Sequence, residues 1–230
     1  MIKNLFLGMF NNAVNLNKKN IYKLLEINPE AKFLDLGCDD GALSLLLADQ
    51  IRTKKIYGVD LDDKSLEKAK KNGLKVKKCD LNAKFPLPDR YYDVVYANQV
   101  IEHIGNSDNF VSEVFRIVKK GGYAIISTEN ASSWHNIFAS VMGWQIFSLT
   151  NFSSMKCGIG NPMALHRSKE PDLKSWNHVR IYNFRGLKEY FEAAGFKVEK
   201  TLGAGYHPFH PALGNIDKNH CHFMTFKLRK

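Results

Sequence analysis

Over its first 130 residues the chain alternates strand-like and helix-like runs joined by short connections, an order that few folds accommodate. Strands are read at 31–36, 55–60, 74–79, 92–100 and 123–128. Helices are read at 42–51, at 62–72 with Asp62 or Asp63 as cap and Gly73 as terminator, and at 108–118 ahead of Gly121-Gly122. Consecutive parallel strands need helical crossovers, so the pattern predicts βαβ units. Apolar runs such as 123–127 suit strands covered on both faces. The expected architecture is α/β, a doubly wound open sheet. Ligands in such sheets sit beyond the carboxyl ends of the strands.

The pattern dissolves between about 130 and 177. All three tryptophans, Trp134, Trp144 and Trp176, fall there, with Phe138, Phe147 and Phe152. Long stretches without a regular pattern are usually lids or binding segments. Regularity returns as a helix at 184–194 closed by Gly195, a strand at 196–202 and a final strand at 221–228. The 230 residues read as one domain, with a substrate lid at 131–177.

A net charge of +10 invites a nucleic-acid reading, but its makeup argues otherwise. The 33 basic residues include only seven Arg, the residue that grips phosphate with a planar fork. The lysines are scattered in pairs such as Lys54-Lys55 and Lys119-Lys120. Such dispersal fits a solvated surface, with attraction to an acidic partner as the alternative. Hydrophobic residues at 44% exclude a disordered chain, and no run of about 18 apolar residues suggests a membrane span. Four cysteines, Cys38, Cys79, Cys157 and Cys221, form no C-x-x-C pair, which favours a reducing, cytoplasmic compartment.

The strongest local signal lies between the first strand and the first helix: Leu34-Asp35-Leu36-Gly37-Cys38-Asp39-Asp40-Gly41. Glycines there allow a sharp turn and close approach of a ligand to the backbone. The spacing is neither G-x-G-x-x-G nor a P-loop. Asp35 at the strand end would repel a pyrophosphate and attract a cation or an amine. Two more strands end in acids, Asp60 after Ile56-Tyr57-Gly58-Val59 and Asp80 after Cys79. A carboxylate at the end of the second strand can accept from both hydroxyls of a ribose.

These residues resemble the class I methyltransferases that use S-adenosylmethionine. The family's first motif, D-x-G-x-G-x-G, is met by Asp35, Gly37 and Gly41, with Asp39 at the middle glycine. Aspartate tolerates left-handed conformations better than most residues. The run 93–104, including Asn98, Gln99 and Glu102-His103, resembles the fourth-strand region of the small-molecule branch, and 113–123 its helix–turn–fifth-strand signature. No N-P-P-Y or D-P-P-Y run is present. The resemblance implies a Rossmann-like seven-stranded sheet, mostly parallel with an antiparallel last strand, and a helical cap at 1–30. It implies S-adenosylmethionine as cofactor and S-adenosylhomocysteine as product. Gly37, Cys38, Asp39 and Gly41 would line the methionine portion, with Asp35 facing its ammonium directly or through water. Asp60 and Leu61 would meet the ribose, Asp80 and Leu81 the adenine, and Asn98 and Gln99 the transferring methyl.

The implied reaction is methyl transfer to oxygen or nitrogen of a small-molecule acceptor, ring-bearing or lipid-like, or acidic. A base is needed only where the acceptor must shed a proton early, and His103, His178 and His207 are the candidates. Trp134, Trp144 and Trp176 would form an aromatic lid over the acceptor, with Tyr206 and His210 contributing from the loop before the last strand. His220 and His222 would share one face of that strand with Cys221 opposite, a set without the usual spacing of zinc ligands, so no metal site is read. An RNA or protein methyltransferase is the first rival. A nicotinamide oxidoreductase lacks its fingerprint here, and a non-catalytic binding protein would have little use for the three strand-end acids.

Overall fold

The computed structural model describes residues 2–167 and 177–230, with side chains from Phe6 onward. Its strands are β1 (Lys32–Leu36), β2 (Lys55–Asp60), β3 (Lys75–Lys78), β4 (Tyr92–Asn98), β5 (Val118–Glu129), β6 (Lys197–Ala204) and β7 (Phe223–Arg229). The helices are α1 (Ile2–Leu24), α2 (Ala42–Ile51), α3 (Asp63–Lys71), α4 (Ser107–Ile117), α5 (Trp134–Val141) and α6 (Phe184–Ala193). The strands form one sheet in the order β3-β2-β1-β4-β5-β7-β6. The pairings among β1–β5 are parallel, and β7 runs antiparallel between β5 and β6.

Alternation along the central strands produces two cores. Leu34, Leu36, Val95 and Ala97 face one side, packed with Phe110, Val114, Phe191 and Phe226. Phe33, Val94 and Tyr96 face the other, against Leu47, Ile51, Ile21 and Leu24. Turn chemistry fixes the connections. Asp62 caps α3 by accepting from Ser65 N at 2.9 Å, and Asn106 caps α4 through Asn109 N.

β5 begins five residues earlier than the sequence suggests. Gly121-Gly122 was expected to close α4 and instead lies within the strand, beside a register shift against β4. A side chain at Gly122 would meet the Asp93 carbonyl oxygen at 2.8 Å, so glycine lets the two strands approach. The segment 130–177 is also more regular than expected, because α5 and a 3-10 turn at Phe147–Leu149 occupy part of it.

The N-terminal cap is a single 23-residue helix laid across β6 and β7. Two buried asparagines anchor it. Asn17 Nδ2 donates to Ser127 Oγ at 2.9 Å, and its Oδ1 accepts from Thr225 Oγ1 at 2.8 Å. Asn20 Nδ2 donates to the Gly203 carbonyl at 3.0 Å. Replacing Asn17 with Ala removes both of its bonds and leaves the Ser127 and Thr225 hydroxyls only each other at 3.0 Å, and is expected to cost about 1–3 kcal/mol. A shift of the urea midpoint at unchanged slope checks this. Among the described residues, no helix is long and apolar enough to cross a membrane.

Candidate active site

The carboxyl ends of β1, β2 and β4 converge on one loop. Gly37, Asp39 and Gly41 all adopt positive φ, at 78°, 46° and 79°, so aspartate holds the left-handed position where a middle glycine would sit. Gly37 N and Cys38 N both donate to the Val59 carbonyl. Cys38 is buried beneath the turn, and a side chain at Gly58 would meet its sulfur at 2.7 Å.

The strand-end acids are placed differently. Asp35 is 4% exposed, and its Oδ2 accepts from Ser44 Oγ at 2.6 Å. Burial pushes its carboxyl up to about 7, against the pull of the Ser44 bond. Asp60 Oδ2 accepts from Asp39 N at 3.0 Å, while Oδ1 accepts from Leu61 N and Asp62 N. Oδ2 keeps capacity to accept a further hydrogen bond. Leu61 stands beside it with 53% of its surface exposed. Asp80 is exposed and turns the chain by accepting from Asn82 N, while Leu81 is buried next to it.

Asn98 lies under α1 with Asn17 Nδ2 3.5 Å from its Oδ1. Gln99 takes φ 55°, its backbone N donates to Ser127, and its Nε2 is buried without a partner. Gln99 also lines a chamber of about 390 Å³ that opens past the end of β4. That volume suits a drug-sized ligand. Apolar walls come from Phe6, Met9 and Phe10 of α1 and from Phe147, Met163 and Leu165. The polar lining is dominated by His103, His135, His166, His178, His207 and His222, with Glu129. All three histidines singled out from the sequence as candidate bases are thus brought together.

Their tautomers are partly fixed. His178 Nδ1 donates to the Ser148 carbonyl at 2.6 Å, and His103 Nδ1 to the Asn177 carbonyl at 3.1 Å. A carbonyl only accepts, so each ring keeps an Nε2 lone pair. The two rings meet edge to face at 4.7 Å. Burial pushes His103 and His207 down to about 4, so both are neutral near pH 7. Burial would raise the Glu129 carboxyl, but the neighbouring His222 outweighs it and holds the group below its usual range.

Beside His103, Glu102 is fully buried. Its Oε2 accepts from Thr128 Oγ1 at 2.8 Å, and its Oε1 has no partner. Burial pushes this carboxyl from 4.5 up to about 8. A raised folded-state pKa means tighter proton binding in the folded form. The resulting stability is present in full below pH 4.5 and is lost as pH rises through 8. Glu102→Gln keeps an acceptor for Thr128 and has no proton to lose. Its melting temperature is expected to gain on the parent's progressively from pH 4.5 to 8, which a thermal-melt series checks.

The aromatic lid is arranged otherwise than expected. Trp134 stacks on His220 at 4.5 Å, and Trp144 packs edge-on against Phe138 at 5.8 Å; neither lines the chamber. These rings hold α5 to the loop before β7 and to its own neighbours. Trp176 lies outside the described residues. Tyr206 Oη donates to Asp217, and the exposed His210 caps a 3-10 turn, so both stand off the lining. His220 and His222 do not share a strand face, because β7 begins only at Phe223. His220 pairs with Asp217 at 2.7 Å while His222 faces the chamber. Sequence reasoning missed Glu102, Glu129 and His135. Glu129 ends β5, so the strand-end rule that selected Asp35, Asp60 and Asp80 would have found it.

Comparisons with known proteins now bear on this geometry. A family model described as a methyltransferase domain matches residues 10–201. A probable S-adenosylmethionine-dependent methyltransferase of Mycolicibacterium smegmatis is 32% identical over 190 residues, 81% of this chain and 59% of that protein. A ubiquinone biosynthesis O-methyltransferase of Rickettsia felis is 31% identical over 203 residues, 84% of this chain and 78% of that protein. The chain belongs to the S-adenosylmethionine-dependent methyltransferases. A second ubiquinone biosynthesis O-methyltransferase, from Nitrosomonas europaea, is 31% identical over 118 residues, 49% of each chain. The match thus spans about half the length of the Nitrosomonas protein and somewhat more of the Mycolicibacterium one. A solved S-adenosylmethionine-dependent methyltransferase of Thermotoga maritima superposes with a TM-score of 0.62 at 20% identity, over 99% of this chain and 95% of that one, which speaks for the fold alone.

The residues present fit the methyltransferase cofactor. The glycine turn takes positive φ, a carboxylate with acceptor capacity to spare and an exposed leucine stand at the end of β2, and Gln99, its Nε2 unpartnered, follows β4 into the chamber lining.

Proposed function

We propose that this methyltransferase transfers a methyl group to an oxygen of a small, largely apolar, ring-bearing acceptor held in the histidine-lined chamber. The observation that carries the reading is the chamber itself, enclosed by α1 and the 130–167 segment and lined at the end of β4 by Gln99. Oxygen is favoured because two relatives named above are O-methyltransferases by name. Among its described lining residues there is no Lys or Arg, which favours a neutral acceptor over an acidic one. Many lysines are instead engaged at the surface, as in Lys55–Glu30, Lys78–Asp63 and Lys188–Glu192.

Bound S-adenosylmethionine supplies a methyl group on a cationic sulfur, open to in-line displacement. Asp60 would hold the ribose hydroxyls through the spare position on Oδ2, with Leu61 beside it, and Asp80 and Leu81 would hold the adenine. Asp35 acts from beneath: its bond to Ser44 ties the end of β1 to α2 and keeps the glycine turn in register. Asn98 and Gln99 would border the methyl. His178 takes the acceptor proton on Nε2, with Nδ1 held by Ser148 and the Glu129 carboxylate close enough to balance the new charge. Phe6, Met9 and Phe10 exclude water. The segment 131–167 serves as the lid through residues such as Phe147, Met163 and Leu165 rather than its tryptophans.

A labelled-methyl assay over a panel of phenols and catechols, neutral and carboxylated, tests the reading. Turnover is expected on neutral phenolic compounds. Turnover confined to RNA or protein would contradict it.

A further inference from the structure

Deeper in the chamber wall, His135, His207 and His222 each offer a ring nitrogen, and these atoms lie within 4.8 Å of one another. They come from three separate segments: α5, the loop after β6, and the residue preceding β7. His207 Nε2 and His222 Nδ1 are 2.9 Å apart. Two nitrogens on a tetrahedral zinc ion stand about 3.3 Å apart, given bonds of about 2.05 Å, so a small widening admits a cation.

Three further features suit a cation. His222 Nε2, on the other side of its ring, lies 3.8 Å from Glu129 Oε1, which places a carboxylate where a shift of under about 1 Å would make the hydrogen bond that orients metal-bound imidazoles. The His222 ring is clamped flat on Phe223 at 4.2 Å. His135 Nδ1 is buried with no hydrogen-bond partner, an unmet valence that the protein itself leaves open.

We infer that His135, His207 and His222 form a binding site for a divalent transition-metal ion of the zinc class, with its fourth position directed into the chamber. Imidazole nitrogens without thiolates suit Zn²⁺, Co²⁺ or Ni²⁺ and disfavour Mg²⁺ and Ca²⁺. The ion ties α5 to the β6–β7 loop and presents an open coordination position to an oxygen donor. This site is independent of which acceptor the chamber takes.

A second cluster in the same chamber, Glu102, His103 and His178, is the internal control. The test titrates the metal-free protein with Co²⁺ and reads the visible absorption of the bound ion, alongside calorimetry with Zn²⁺. One ion per chain is expected, with the intense bands of four-coordinate cobalt, and Zn²⁺ raises the melting temperature. His207→Gln and His222→Gln each reduce Co²⁺ affinity about 100-fold or more, while His103→Gln leaves it within a few-fold. Retained S-adenosylhomocysteine binding, measured in each variant, certifies folding. Absence of a stoichiometric ion, six-coordinate spectra characteristic of oxygen ligands, unchanged affinity in His207→Gln, or loss in His103→Gln overturns the inference. Failure of the acceptor panel with cobalt bound leaves the site standing and counts against the acceptor reading alone.

Discussion

Asp60→Ala is expected to weaken S-adenosylhomocysteine binding about 100-fold, close to 3 kcal/mol. Two effects add. The ribose hydroxyls lose a charged acceptor, and such hydrogen bonds are worth roughly 1.5–3 kcal/mol each. The turn also loses its staple, because Asp60 holds the backbone N–H groups of Asp39, Leu61 and Asp62. Asp60→Asn separates the two effects: the amide oxygen can replace one acceptor, so an intermediate loss is expected. Calorimetry checks both. Unchanged affinity in the alanine variant would remove Asp60 from the cofactor site.

His178→Gln is expected to lower kcat on a phenolic acceptor about 100-fold, the lower end for removal of a positioned general base. S-adenosylhomocysteine affinity should change little, since the ring faces the acceptor chamber. The deficit should shrink as pH rises toward the acceptor's own pKa, where the hydroxyl ionises without help. A deficit independent of pH would mark His178 as a packing residue instead. Among the histidines, His103 and His207 are weaker choices because burial holds them near 4, far below the pKa at which a base is most effective near neutrality.

The turn at 37–41 and the acids around it were legible in sequence because their signals are local. Asp35 and Asp60 stand near the carboxyl ends of their strands and Asp80 just past β3, and the positive-φ turn needs Gly37, Gly41 and a tolerant residue between them. The succession of β1 to β5 and their parallel pairing followed from alternation, while the antiparallel last strand rested on resemblance. The acceptor half was hidden because its contacts span the chain. His135 meets His207 and His222 across more than 70 residues. α1 contributes Phe6 and Phe10 to a chamber whose other walls come from beyond residue 98. The tryptophans drew attention by size and composition, yet Trp134 found its partner in His220, which no periodicity could announce. The glycine pair at 121–122 misled for a similar reason: it meets a neighbouring strand rather than a helix end.

The central claim is that cofactor and acceptor meet at Gln99, between the Gly37–Gly41 loop and the histidine chamber. A crystal structure of the S-adenosylhomocysteine complex tests it most directly. The account predicts the ribose on Asp60 and the sulfur beside Gln99, its free face open to His178 across the chamber. A ligand seated away from Asp60, or a sulfur turned from the chamber, would contradict it.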